Sequence, residues 1–146
     1  MSTSQFDLRG RIAIVTGASR GLGENLACAL GRAGADLAVT SRTKASLNGR
    51  VKEMESIGRR ILPVELDVRK LDSITKMVDT VFEQYGRIDI LINNAGCNIR
   101  KPAVEMSGDD WDMVLETNLR GPFFNAAAVA RTRSKRQLPG TGLVQN

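Results

Sequence analysis

Three glycines, Gly17, Gly21 and Gly23, separate the apolar run Ile12-Ala13-Ile14-Val15 from a helical pattern that starts near Leu22. A buried strand that runs into such a turn, with a helix directly behind it, aims unsatisfied backbone N–H groups and the positive end of a helix dipole at one gap. That gap is an anion site suited to a pyrophosphate. The loop, Gly17-Ala18-Ser19-Arg20-Gly21-Leu22-Gly23, is not a Walker loop, because Glu24 and Asn25 stand where Lys and Ser/Thr would follow the last glycine. The spacing Gly-x-Gly-x-x-Gly is absent too; the glycines fall as Gly-x-x-x-Gly-x-Gly.

Other chemistries are excluded by residue type. The chain has no histidine, which removes Ser-His-Asp catalysis and histidine-ligated metals. Cys28 and Cys97 form neither a disulfide framework nor a zinc spacing. Tyr85 is the only tyrosine; it falls on an apolar helical stripe and reads as a packing residue. The polar residues that remain, Ser41-Arg42, Asp67 and Asn93-Asn94, all stand where a strand pattern ends.

Those strands alternate with helices. Leu22, Leu26, Leu30 and Ala33 mark a first helix closed by Gly34; Leu37 to Thr40 is the second strand. Leu47, Val51, Met54 and Ile57 mark a second helix, and Ile61 to Leu66 the third strand. Pro63 fits there only on a sheet edge. Ile74, Met77, Val78, Val81, Phe82 and Tyr85 make the clearest helical stripe, and Ile88 to Ile92 the fourth strand. A last helical stretch starts near Ser107, with Trp111, Val114, Leu115 and Leu119 as its apolar face. Asn118 shares that face, where its amide must find partners. Pro122 has no N–H for the Asn118 carbonyl, so a bend is expected there.

This order predicts an α/β fold: a Rossmann-like, doubly wound parallel sheet with right-handed crossovers, ending after about four strands and five helices. The strand order would be 3-2-1-4, with the ligand beyond the carboxyl ends of strands 1 and 4. The expected division is a dinucleotide-binding domain over residues 1–131 and an irregular basic tail over 132–146.

In combination, Thr16-Gly17-x-x-x-Gly21-x-Gly23, Asp67-Val68, Asn93-Asn94-Ala95-Gly96 and Asn118-Leu119-x-Gly121 resemble the short-chain dehydrogenase/reductase family. The resemblance spans residues 8–130. It implies an oxidoreductase that moves hydride between nicotinamide and an alcohol/carbonyl pair. Gly17 to Gly23, including Ser19, Arg20 and Leu22, would hold the pyrophosphate. Asp67 would accept from the adenine amino group, with Val68 beside the ring. Asn94, Ala95 and Gly96 would line the ribose and nicotinamide. Asn118 matches the catalytic asparagine, whose main-chain carbonyl holds a relay water. The branch resembled acts on sugar acids or 3-oxoacyl carriers, and Arg100 and Lys101 could meet a substrate carboxylate.

An NAD enzyme would place an acid after strand 2 for the ribose 2′-hydroxyl. Ser41, Arg42 and Arg20 suit a 2′-phosphate instead, so NADP is expected before NAD. The family's Tyr-x-x-x-Lys pair is missing: Asp89, not Lys, stands four residues after Tyr85, and no serine follows Ser134. The chain therefore reads as a truncated family member carrying one of four catalytic residues. A non-catalytic dinucleotide-binding or interaction protein on the same fold is the alternative. A methyltransferase-like domain fits less well, with Arg42 in place of an acid.

Composition sets further bounds. At 146 residues the chain is one domain, able to bury about two thirds of its unfolded surface. Net charge is +5, but Arg131, Arg133, Lys135 and Arg136 carry most of the excess, so no nucleic-acid face is expected. No apolar run approaches membrane length and no signal peptide is evident, so a cytoplasmic chain is expected. A homo-oligomer through the last helix is implied by the resemblance.

Overall fold

A computed structural model describes residues 6–137, with side chains to residue 132. Four parallel strands, β1 (Ile12–Val15), β2 (Asp36–Ser41), β3 (Ile61–Glu65) and β4 (Ile90–Ile92), lie in the order β3-β2-β1-β4. Pro63 sits in β3, at the edge, where its missing N–H leaves no ladder bond unmade. β1 pairs with β2 from Ile12↔Asp36 to Val15↔Val39, and with β4 from Ala13↔Ile90 to Val15↔Ile92.

Successive side chains of a strand point to opposite faces, so the unbroken apolar run of β1 serves two cores. Ala13 and Val15, with Leu37 and Val39, face helices α1 (Gly21–Arg32) and α2 (Asn48–Glu55), where Ala27, Leu47 and Met54 complete one core. Ile12, Ile14 and Ala38 face the other side, against Ile74, Met77, Val78 and Val81 of α3 (Leu71–Tyr85). Burying a side chain of that size contributes about 1.5–3 kcal/mol. Helix propensities differ by only about 0.7 kcal/mol per residue, so packing decides where α3 lies. Gly86 ends α3 at φ 73°, donating its N–H to the Phe82 carbonyl.

Tyr85 is a packing residue, as its place on the stripe suggested. Its hydroxyl donates to the Leu37 carbonyl at 3.1 Å and the Arg60 guanidinium lies 4.9 Å from its ring centre. Burial, together with the nearby Asp36 charge, pushes its pKa up to about 12. Asp89 stands at the opposite end of the sheet from the glycine loop. It accepts from the Ile12 N–H at 2.9 Å and pairs with Arg87 and Arg11.

The C-terminal helices differ most from expectation. Ser107 and Asp110 form a reciprocal capping box at the start of α4 (Gly108–Leu115), as their spacing suggests. Pro122 does not interrupt a plain α-helix. The chain takes one wide π turn, Glu116–Arg120, closed by Gly121 N–H to the Glu116 carbonyl, and continues as α5 (Gly121–Gln137). A π turn absorbs one extra residue, which accommodates the donor that Pro122 lacks. α5 packs on α3, with Val129 in the core. It runs past residue 131, into the stretch expected to be irregular; 138–146 lie outside the described residues. Most of the expected apolar face is exposed: Trp111 61%, Leu115 38% and Leu119 66%, with Val114 half-buried.

Candidate functional site

The cleft beyond the carboxyl ends of the strands has a volume of about 720 Å³. Its wall contains every residue expected to touch a dinucleotide, from the glycine loop, the end of β2, Asp67-Val68 and Asn94-Ala95-Gly96.

Two of the three loop glycines, Gly17 and Gly23, leave no room for a side chain. Gly17 has φ 67°, and a Cβ there would sit 2.9 Å from the Ala95 Cα. A Cβ on Gly23 would lie 2.3 Å from the Gly17 carbonyl oxygen and 2.4 Å from Asn94 Nδ2. Gly23 therefore lets the first turn of α1 close on the loop, with the helix N-terminus beside the cleft. Arg20, the residue before α1, is extended and exposed.

Thr16 ties this loop to β4. Its hydroxyl accepts the N–H groups of Asn94 and Ala95, each at 3.0 Å, and lies 3.3 Å from the Ile92 carbonyl. Asn94 returns the contact, its Nδ2 donating to the Thr16 and Gly17 carbonyls at 3.0 and 3.1 Å. Asn94 is thus a brace between the two loops that flank the cleft.

At the end of β2 the expected residues divide. Ser41 is buried, and its hydroxyl remains within its own turn, 2.5 Å from the Thr43 carbonyl and 2.7 Å from Ser46 Oγ. Arg42 is exposed at the rim. Thr40, not singled out in the sequence, lines the cleft with a buried hydroxyl that has no hydrogen-bond partner. A polar residue closing a buried strand was the signal available for it.

Asp67 accepts from the Arg69 side chain and backbone, and that ion pair holds its carboxyl below the usual carboxylate range against the opposing effect of burial. Val68 is buried beside it, and a Cβ on Gly121 would lie 2.7 Å from the Val68 carbonyl, so α5 starts hard against this loop.

Asn118 is exposed rather than buried, and does not line the cleft. Its amide still finds both partners: Oδ1 accepts the Cys97 N–H at 2.9 Å and Nδ2 donates to the Cys97 carbonyl at 2.8 Å. The side chain thereby fixes the loop that carries Gly96 and Cys97, both in the cleft wall. Lys101 is less available to a substrate than its sequence context suggested. Its Nζ lies 2.6 Å from Asp110 Oδ2. That hydrogen bond, with further ones from Ser107, lowers the Asp110 carboxyl to about 2. Arg100 is exposed.

A dinucleotide phosphate fits these residues. The cleft offers a bare glycine cradle, a helix N-terminus, exposed Arg20 and Arg42, and the unpartnered Thr40 hydroxyl. No group of three potential metal ligands occurs among the described residues, and no described helix is long and apolar enough to cross a membrane.

A parallel sheet in the order 3-2-1-4 with this glycine loop at its switch point defines a dinucleotide-binding α/β protein. Residues 11–139 match the short chain dehydrogenase family, and the chain belongs to it. Gluconate 5-dehydrogenase of Gluconobacter oxydans (strain 621H) is 41% identical over 126 residues, covering 86% of this chain and 49% of that protein. The 2-dehydro-3-deoxy-D-gluconate 5-dehydrogenase of Escherichia coli (strain K12) is 37% identical over 131 residues, covering 90% and 51%. Among solved structures, a short chain dehydrogenase from Burkholderia cenocepacia J2315 in complex with NADP aligns at a TM-score of 0.82 and 36% identity. It covers 86% of this chain and 51% of that one. The chain thus spans about half the length of the relatives it matches.

Proposed function

We propose that this chain is the cofactor-binding half of an NADP-dependent alcohol/carbonyl oxidoreductase, and that these 146 residues hold the cofactor without turning it over. The observation that carries the reading is the cleft that unites the glycine loop, Arg20 and Arg42, Asp67 and the Asn94 brace. The bound cofactor would supply hydride at its nicotinamide. The chain's own residues bind and orient: the α1 N-terminus and glycine loop take the pyrophosphate, Asp67 the adenine amine, and Asn94 to Gly96 the nicotinamide side. Asn118 braces the last of these loops through Cys97, and its main-chain carbonyl would hold the relay water. The relatives named for gluconate and dehydrodeoxygluconate favour a sugar-acid substrate.

Arg20 and Arg42 are the residues that favour NADP over NAD, since the Ser41 hydroxyl is used within its turn. Calorimetry is expected to find NADP binding at least about tenfold tighter than NAD, the effect of one charge-assisted contact of about 1.5–3 kcal/mol. Arg42→Asp should erase or invert that preference. Equal affinities in the unsubstituted chain would remove the 2′-phosphate reading.

Self-association is a second expectation. Trp111, Leu115, Leu119 and Phe123 recur every four residues along α4, the π turn and α5, all exposed. Among the described residues β4 pairs on one side only, leaving an apolar strand edge open. Light scattering should show mass rising with concentration, and Leu119→Glu with Phe123→Glu should reduce it. A constant monomer mass would count against this surface as an oligomer face.

A further inference from the structure

We propose that Arg69 is a positioning residue for purine recognition: it holds Asp67 so that a single acceptor position remains for the base, selecting a 6-amino purine. The proposal rests on the dinucleotide reading above.

An ionised carboxylate offers about four acceptor positions, two on each oxygen. Arg69 fills three of them. Its backbone N–H and its Nε both donate to Asp67 Oδ1, at 3.1 and 3.0 Å, and its Nη2 donates to Oδ2 at 2.9 Å. One position on Oδ2 is left. The turn that presents the pair is itself held: Ser73 Oγ accepts the Asp67 N–H at 3.0 Å, Lys70 N–H bonds the Asp67 carbonyl at 3.1 Å, and Arg120 Nη1 donates to the Arg69 carbonyl at 3.0 Å. Asp67 and Arg69 both line the cleft.

The chemistry of the last position is strict. A carboxylate that cannot turn accepts a hydrogen and gives none, so it welcomes an exocyclic amine and opposes a carbonyl oxygen. Without the guanidinium fork the carboxylate could rotate away, and the base would lose its fixed partner. The fork also occupies Arg69, which leaves Arg20 and Arg42 as the cleft cations open to phosphate. Arg69 should therefore affect the choice of base and not the choice between NADP and NAD. Lysine could not replace it, because one ammonium cannot span both carboxylate oxygens as the planar fork does.

Calorimetry with NADP and with its 6-oxo analogue, nicotinamide hypoxanthine dinucleotide phosphate, reads the proposal directly. The unsubstituted chain should prefer NADP by about tenfold to a hundredfold, the range for a hydrogen bond to a charged group. Arg69→Ala and Arg69→Lys should each reduce that ratio to a few-fold while leaving the NADP/NAD ratio unchanged. A merely structural loss would weaken all three ligands together. Asp67→Asn with Arg69 retained gives an independent readout. The amide oxygen would take the Oδ1 position, where the Arg69 N–H and Nε donate, and Nδ2 the Oδ2 position, giving up the Nη2 bond and presenting a donor to the base, so preference should invert toward the 6-oxo base. Arg69→Ala in that background should abolish the inversion. An unchanged base ratio in Arg69→Ala, or no inversion in Asp67→Asn, overturns the proposal while the cofactor reading stands. Failure of the unsubstituted chain to bind any of the three ligands overturns both.

Discussion

Gly23→Ala is expected to reduce dinucleotide binding by about a hundredfold or more, although it adds one methyl group. The added carbon would meet the Gly17 carbonyl oxygen and Asn94 Nδ2 well inside contact distance. Neither can step aside cheaply. The carbonyl belongs to a loop whose own glycine is at positive φ, and Asn94 Nδ2 is donating to two backbone carbonyls. Overpacking of this kind costs about 1–3 kcal/mol. Here the relief is for α1 to move off the loop, which displaces the N–H groups that would face the pyrophosphate. The stability loss, read as a lower melting temperature, should thus be smaller than the binding loss. Gly49→Ala is the control: a Cβ there would meet nothing within 4 Å, and Gly49 is on the exposed side of α2. It should bind nucleotide normally and melt slightly higher, by the equivalent of about 0.4–1 kcal/mol. Normal binding by Gly23→Ala would mean that the loop is not the phosphate cradle.

The sheet was legible because each strand is a short apolar run ended by a turn residue, and Pro63 placed β3 at the edge. The cleft was legible because the polar residues that interrupt those runs all fall at the carboxyl ends. Sequence spacing could not reveal how neighbouring side chains share partners. Ser41 looks like a phosphate donor, yet Thr43 and Ser46 use its hydroxyl two and five residues on. Lys101 looks open to substrate, yet Asp110 reaches it across the turn before α4. What the apolar face of α4 packs against was not legible, for a different reason. An apolar stripe marks a face that excludes water from something, and periodicity does not say whether that something is the chain's own core. Trp111 and Leu119 follow the helical period and are nonetheless exposed. The π turn was signalled by Pro122, but a bend and an inserted residue answer the same missing donor, and only the Gly121–Glu116 bond separates them.

The polypeptide of these 146 residues is expected to show no turnover of alcohols or carbonyls, even with NADP bound. Hydride transfer needs a matched proton transfer at the substrate oxygen, and general acid–base help is typically worth about 10²–10⁴ in rate. Among the described residues no group is placed to give it. Tyr85 is held by the Leu37 carbonyl at the opposite end of α3 from Asp67, with its pKa raised to about 12. There is no histidine, and the Asn118 amide is committed to both backbone groups of Cys97. Loss of NADPH absorbance with a carbonyl panel that includes keto-sugar acids should match the rate without protein. Activity that copurifies with the chain and disappears in Gly17→Val would sink this expectation. A gain-of-function test is sharper. Fusing the second half of the Gluconobacter oxydans relative, 41% identical over the half that this chain matches, after Ala130, inside α5, tests whether the remaining half restores turnover. If the chimera turns over keto-gluconate, and Asn118→Ala then lowers kcat more than it raises KM, the loop held through Cys97 serves the chemical step. If the chimera folds and binds NADP but stays inactive, this half is better read as a nucleotide-binding protein.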